Sequence, residues 1–351
     1  MRKSFFLLLF APALAGFSEI LLPDPTIFQD GGTYYLTGTH NSPESAASNG
    51  GAKIFPIYKS KDLAEWQSKG ADGRALGALP AKGAFGHSHF WAPQIFKKDG
   101  KYYFAYTTST KPTAGTLQHL RIAIASADNI EAGFKDAFVL QSPTPEIDPF
   151  VFIDDDGSVY IYLVNWANGG GIWVQRLSPD LKTRLGKMKS CVRVSEEWER
   201  KPLPEEFAKL NAETKKKNPQ ISPWELYSAS RGTAEGPTVV KRGGKYVLFY
   251  SANDFRSPDY CVCAAVADSP MGEFKKIQRG PVISRFNVGL NGSGHGDVFF
   301  DKSGGMWYVF HAHHSNIRIS PRRTAVVKLV ETFGADGYPR YDIDYSTMRL
   351  L

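Results

Sequence analysis

Five times along the chain the same pattern of apolar and polar positions returns: a short strand-like run, a Gly-containing turn, and a second run rich in Tyr or Phe. The copies begin at Pro25, Pro93, Pro149, Pro237 and Asp297. The first reads Thr26-Ile27-Phe28-Gln29-Asp30-Gly31-Gly32-Thr33-Tyr34-Tyr35-Leu36, and the fourth runs from Thr238 through Gly243-Gly244 to Tyr250. Such turns between such runs predict β-hairpins. A third strand-like run follows each hairpin, at 52–60, 121–126, 172–177, 260–267 and 324–330. Antiparallel units of three or four strands that repeat radially close into a β-propeller, which leaves only short protected edges. The expected fold is therefore all-β, a five-bladed β-propeller.

The longest interval between copies, from the third to the fourth, contains the stretch that breaks the pattern, about residues 195–230. Its middle, Pro204 to Glu213, has helical composition between prolines at 202, 204, 219 and 223. It is expected to be an inserted loop with a short helix. Hairpin and turn signals otherwise run to Leu351, so residues 16–351 read as a single propeller domain with that insertion.

Composition agrees with a folded chain: 351 residues, 42% apolar and 13% aromatic, ample for a large core. Met1-Arg2-Lys3, the apolar run Ser4 to Phe10 and the Ala13-Leu14-Ala15 end read as a signal peptide, residues 1–15, cut after Ala15. Export to the periplasm or medium is expected. Losing Arg2 and Lys3 lowers the formal charge from +7 by two. The remaining basic residues are spread out, and the one run, Lys215-Lys216-Lys217, looks like a solvated face, which argues against a nucleic-acid partner. No later stretch has the roughly 20 apolar residues of a membrane span. Cys191, Cys261 and Cys263 make no disulfide framework, since the last two are neighbours on one strand.

The first strand of each blade lines a propeller's axis, so the residues that open these strands converge on one mouth. They are Asp24, Trp91-Ala92, Asp148, Glu235 and Gly294-His295-Gly296. Three acids there, at equivalent repeat positions, suit acid–base cleavage of a glycosidic bond, in which one carboxyl protonates the leaving oxygen and another activates water or attacks the sugar. The competing account is that Asp24 and Asp148 merely cap Asx-Pro turns by local hydrogen bonding. His311, His313 and His314 lack zinc spacing, and Asp154-Asp155-Asp156-Gly157 reads as a hairpin turn rather than a calcium loop. Trp91, Phe90 and Trp166 are candidates for a sugar platform or for core, and His89 for hydroxyl contacts.

Asp24-Pro25, Trp91-Ala92-Pro93, Asp148-Pro149, Glu235-Gly236-Pro237 and Gly292-Ser293-Gly294-His295 together resemble the ordered motif set of glycoside hydrolase family 43, over essentially the whole mature chain. The resemblance implies that Asp24 is the general base, Glu235 the general acid and Asp148 the residue that tunes and orients Glu235. It implies inversion of configuration, with carboxyls about 6.5–9.5 Å apart. Arg318 lies where family members supply a substrate-binding arginine. His295 is a candidate ligand for calcium in the axial channel, with a polar plug as the other role; no cofactor is required. Leu21-Leu22-Pro23 before Asp24 and Gly236 after Glu235 depart from the motifs of retaining sucrose- and fructan-cleaving propellers. The expectation is an exo-acting hydrolase that releases α-L-arabinofuranosyl or β-D-xylosyl units from plant polysaccharides or oligosaccharides. Its alternatives are an endo-acting α-1,5-arabinanase and a non-catalytic carbohydrate-binding propeller; the latter would be expected to lack an acid, and none is missing.

Overall fold

The computed structural model describes residues 19–39, 54–78, 86–111, 117–167, 170–230 and 232–351; the expected signal peptide, 1–15, lies outside them. Five antiparallel sheets follow one another along the chain. The first holds β1 (Thr26–Asp30), β2 (Thr33–Thr37) and β3 (Tyr58–Ser60). The second holds β4 (Trp91–Lys98), β5 (Lys101–Ser109), β6 (Leu120–Ala127) and β7 (Lys135–Leu140). The third holds β8 (Glu146–Ile153), β9 (Val159–Asn165), β10 (Ile172–Leu177) and β11 (Arg184–Val192). The fourth has β12 (Ala234–Arg242), β13 (Lys245–Ala252) and β14 (Cys261–Ala267). The fifth has β15 (Gly294–Phe300), β16 (Met306–Ala312), β17 (Arg323–Phe333) and β18 (Pro339–Leu350).

The first strands touch in a ring, β1 with β4, β4 with β8, β8 with β12, β12 with β15 and β15 with β1, so the five-bladed expectation is borne out. Two-residue turns with both residues at positive φ close three of the hairpins, at Gly31-Gly32, Asp99-Gly100 and Gly243-Gly244, the geometry that matches strand twist. The second strands read as nearly continuous apolar runs because both of their faces are covered. Along β13, Tyr246, Leu248 and Tyr250 pack toward Tyr162, Val164 and Val174 of the third blade. The alternate residues Val247 and Phe249 pack toward Tyr308 and Phe310 of the fifth.

The chain ends close the ring. The Ile20 N–H donates to Leu351 O at 2.8 Å, its carbonyl accepts from Thr324 N at 3.1 Å, and Leu22 N donates to Thr324 Oγ1 at 3.1 Å. The three cysteines are buried and free, and the Cys261 and Cys263 sulfurs stand 3.9 Å apart.

Between β11 and β12 the expected helix is present as α1 (Glu205–Lys217), longer than its predicted core. Glu205 and Glu206 occupy its first turn and Lys215–Lys217 its last, charges that complement the helix dipole. Phe207 of α1 packs with Tyr227 and with Ile319 of the fifth blade. Glu199, fully buried, accepts from the Tyr250 hydroxyl at 2.5 Å and from Lys276 Nζ at 2.6 Å. The segment is thus a docked layer on the fourth and fifth blades.

Candidate active site

Just before or within the first three residues of each first strand stands a residue at positive φ: Asp24 (50°), Ala92 (44°), Asp148 (54°), Gly236 (59°) and His295 (42°). In β4, β8, β12 and β15 the register shifts at the same place, a bulge that re-aims side chains at a strand end. The repeat corrects the sequence alignment in one respect. The position equivalent to Asp24 and Asp148 in the fourth blade is Gly236, and Glu235 stands one residue earlier, level with Trp91 and Gly294. The shift matters because alternate residues of a strand point to opposite faces.

The N–H of every one of these five residues donates to a side chain of the preceding blade. Ala92 N reaches Thr39 Oγ1 (2.8 Å), Asp148 N reaches Thr107 Oγ1 (3.0 Å), His295 N reaches Ser251 Oγ (2.7 Å) and Asp24 N reaches His311 Nδ1 (3.1 Å). Thr107, Ser251 and His311 occupy matching positions on second strands, opposite Trp91, Glu235 and Gly294. The third blade has Val164 there, opposite Ile147, which has no polar atom to offer. Its place is taken by Asp148, whose Oδ2 accepts from Gly236 N at 3.2 Å. Asp148 therefore fixes the backbone next to Glu235.

The three acids gather at the mouth and their environments differ. Around Asp24, Oδ2 accepts from Thr39 Oγ1 at 2.7 Å and Oδ1 from Arg322 Nη1 at 3.1 Å, with His311 Nδ1 and His295 Nδ1 at 3.3 and 3.4 Å. Burial alone would raise the Asp24 pKa, but the Arg322 charge, followed by the two imidazoles, holds it well below the usual carboxylate range. Glu235 is pushed up to about 7, mainly by burial and then by the negative charges of Asp24 and Asp254, against the Tyr260 hydroxyl that donates to Oε1 at 2.7 Å. Asp148 is raised well above the ordinary value by burial and by the charges of Glu235 and Asp24. His311, lowered to about 3 by burial and by Arg322, is a neutral imidazole.

Two glycines make this packing feasible. A Cβ on Gly236 would meet the His295 ring at 2.8 Å, and one on Gly294 would meet the Tyr260 ring at 2.4 Å. Below the mouth the axial cavity is lined by Thr26, Gln94, Phe150 and Asp297 among others. Asp297 is raised to about 6 by burial, and accepts from Thr238 and Thr26 hydroxyls at 2.5 and 2.6 Å.

The remaining expectations divide. Trp91 is half-buried at the mouth, edge-on to His89 with ring centroids 4.7 Å apart. His89 also meets Ser88 Oγ through Nδ1 at 2.7 Å. Phe90 belongs to the core, packed with Phe55 and Tyr106, because its neighbours Trp91 and His89 take the outward positions. Trp166 follows β9, whose end lies at the mouth, and is exposed there. Arg318 is exposed and lines a separate cleft beside α1; the arginine at the acids is Arg322. Second strands end at the mouth and third strands begin there, a rule that would have located Thr39, Tyr260, His311 and Arg322 from their places beside β2, β14, β16 and β17.

The side chains about His295 do not fit calcium. Among the described residues no group of three or more His, Cys, Asp or Glu could hold a metal ion, and Asp24, the carboxylate beside His295, already pairs with an arginine, whereas calcium takes six to eight oxygens.

A five-bladed propeller whose mouth sets an ionised carboxylate among two carboxyls of raised pKa defines a class of acid–base hydrolase scaffold. The chain belongs to glycosyl hydrolases family 43, whose model matches residues 16–339. It is 29% identical over 237 residues to a beta-xylosidase of Xylanibacter ruminicola, covering 63% of this chain and 64% of that protein. It is 25% identical to a xylosidase/arabinosidase of Butyrivibrio fibrisolvens, covering 85% of this chain and 49% of that one. The chain thus spans less than two thirds of the length of either relative. A crystal structure described as an endo-1,4-beta-xylanase from Bacteroides thetaiotaomicron VPI-5482 superposes with TM-score 0.71 at 27% identity, covering 93% of this chain and 95% of that one. Among the described residues no helix is long and apolar enough to cross a membrane.

Proposed function

We propose that this protein is an inverting, exo-acting glycosidase that releases α-L-arabinofuranosyl or β-D-xylosyl units from plant polysaccharide or oligosaccharide. The observation that carries the reading is the divergence of two carboxyls at one mouth: Asp24 held ionised by Arg322, and Glu235 raised to about 7 by burial. Such a pair divides the roles of base and acid. In this mechanism Asp24 takes a proton from the attacking water while Glu235 gives its proton to the leaving oxygen. Asp148 accepts from the Gly236 N–H and so holds the backbone that carries Glu235. Arg322 keeps Asp24 ionised until it accepts the water's proton. Relatives described as xylosidase/arabinosidase support the pentosyl substrates.

Glu235→Ala is expected to lower kcat by about 10²–10⁴-fold, the usual worth of a general acid, with the fold retained by circular dichroism. Near wild-type turnover would refute the role. NMR of the first-formed sugar should show the inverted anomer, and a retained product would exclude Asp24 as a base acting through water. An endo mode is favoured by one relative, an extracellular endo-arabinanase of Thermotoga petrophila 26% identical over 196 residues. A ladder of products from linear arabinan would establish it over the exo mode, which yields monomer.

A further inference from the structure

The docked layer, inserted in the chain between β11 and β12, carries a tryptophan that the reaction above does not use. Trp224 lies on the single turn Pro223–Glu225, started by Ser222, whose Oγ accepts from Trp224 N at 3.3 Å. It is 59% exposed, although an indole gains more from burial than almost any other side chain. Its ring is nonetheless held in place. The Arg256 guanidinium stands 4.8 Å over it, and the Phe255 ring lies within 11° of parallel at 6.2 Å.

Arg256 is itself fixed. It makes a two-point pair with Asp254, Nε to Oδ1 and Nη2 to Oδ2 both at 2.9 Å, and Nη1 donates to Pro223 O at 3.3 Å. From Phe255 the surface continues to the acids: the Arg322 guanidinium lies 4.9 Å over the Phe255 ring and reaches Asp24 at 3.1 Å. A continuous run of stacked groups therefore leads from the proposed base out to Trp224. On the other side of the same turn, Ser222 and Glu225, which flank Trp224 along the chain, line a cleft of about 560 Å3 with Asn218, Ile317 and Arg318.

A flat, fixed and exposed indole, on a turn whose flanking residues line a cleft with hydrogen-bonding side chains, matches a sugar ring, which offers an apolar C–H face and hydroxyls around its rim. We infer that Trp224, backed by Phe255 and Arg256, is a subsite for a sugar unit of the chain being trimmed, on the leaving-group side of the cleaved bond. The inference rests on the exo reading, because the terminal unit then occupies the mouth and all other units lie on that side.

The test compares wild type, Trp224→Ala and Trp224→Phe on aryl α-L-arabinofuranoside and β-D-xyloside, and on arabino- and xylo-oligosaccharides of two to five units. For each enzyme, kcat/KM on the longer chains is divided by its own value on the aryl glycoside. In Trp224→Ala this ratio should fall about tenfold for four and five units, the worth of one well-packed aromatic contact, mainly through KM. Trp224→Phe should restore most of it. A ratio unchanged at every chain length overturns the subsite, as does a loss that is equal for aryl glycosides and long chains. A change in oligomeric state of Trp224→Ala by analytical ultracentrifugation, without a chain-length effect, would assign the ring to contact between two copies and also overturns it. A wild type that cleaves none of these glycosides overturns the function reading and the subsite with it, whereas cleavage without dependence on Trp224 overturns the subsite alone.

Discussion

Glu235 must be protonated to donate, and Asp24 must be ionised to accept. With Glu235 raised to about 7 and Asp24 held well below the usual range, kcat/KM should be lost as pH rises through about 7 and should persist far into acid. The alkaline limb is where Tyr260 can be tested. Its hydroxyl donates to Glu235 Oε1 and so favours the carboxylate. Tyr260→Phe removes that preference, leaves burial in place, and should move the alkaline limb to higher pH. A limb that stays put or moves down would show that Tyr260 does not set the acid's proton affinity. The residues on which this depends, Tyr260 and Arg322, carry no motif of their own in the sequence, because each meets its carboxyl only when strands fold together, Tyr260 across the fourth blade and Arg322 from the fifth blade to the first.

At the scale of one element, the bulged first strands explain why Asp-Pro and Gly-Pro steps recur. Each bulge turns one N–H toward the preceding blade and sets a side chain at the mouth. The fifth strand does this with Gly294-His295-Gly296, where the Gly294 position abuts the Tyr260 ring. Gly294→Ala should displace Tyr260, reproduce the pH shift of Tyr260→Phe, and also lower the melting temperature, since the ring is wholly buried. Thermal unfolding together with a pH profile checks both parts, and an unchanged profile would mean that the ring absorbs the methyl without leaving Glu235. The helix of the docked layer was legible from Pro204 to Glu213 through its composition and bordering prolines. Its docking was not, since Phe207 finds Tyr227 and Ile319 only in three dimensions.

Across the whole molecule, stability comes from neighbouring blades sharing side chains. Asp297 of the fifth blade binds Thr26 of the first and Thr238 of the fourth, tying three successive blades at the axis. Asp297→Ala would leave two buried hydroxyls unpaired, each worth about 1–3 kcal/mol. It should cost about 2–4 kcal/mol in denaturant unfolding, and a loss under about 1 kcal/mol would show that the hydroxyls find other partners. The ring is closed by Ile20, which binds both Leu351 and Thr324.

Hairpin turns and apolar runs are local, and their five-fold repetition alone specified blade number, all-β class and the acids that open the first, third and fourth blades. The same repetition placed Glu235 one residue off, because a bulge changes register without changing residue type. The partners that make Asp24 a strong acid and Glu235 a weak one came only with the closed ring. Arg322 and Asp24 are separated by nearly the whole chain, and their charges act through space once the first and fifth blades meet. Trp91 and Phe90, adjacent and alike in type, were divided between mouth and core by packing that no single-strand pattern encodes. Periodicity in the chain determines which elements form, whereas proton affinity depends on burial and on neighbours brought close by folding.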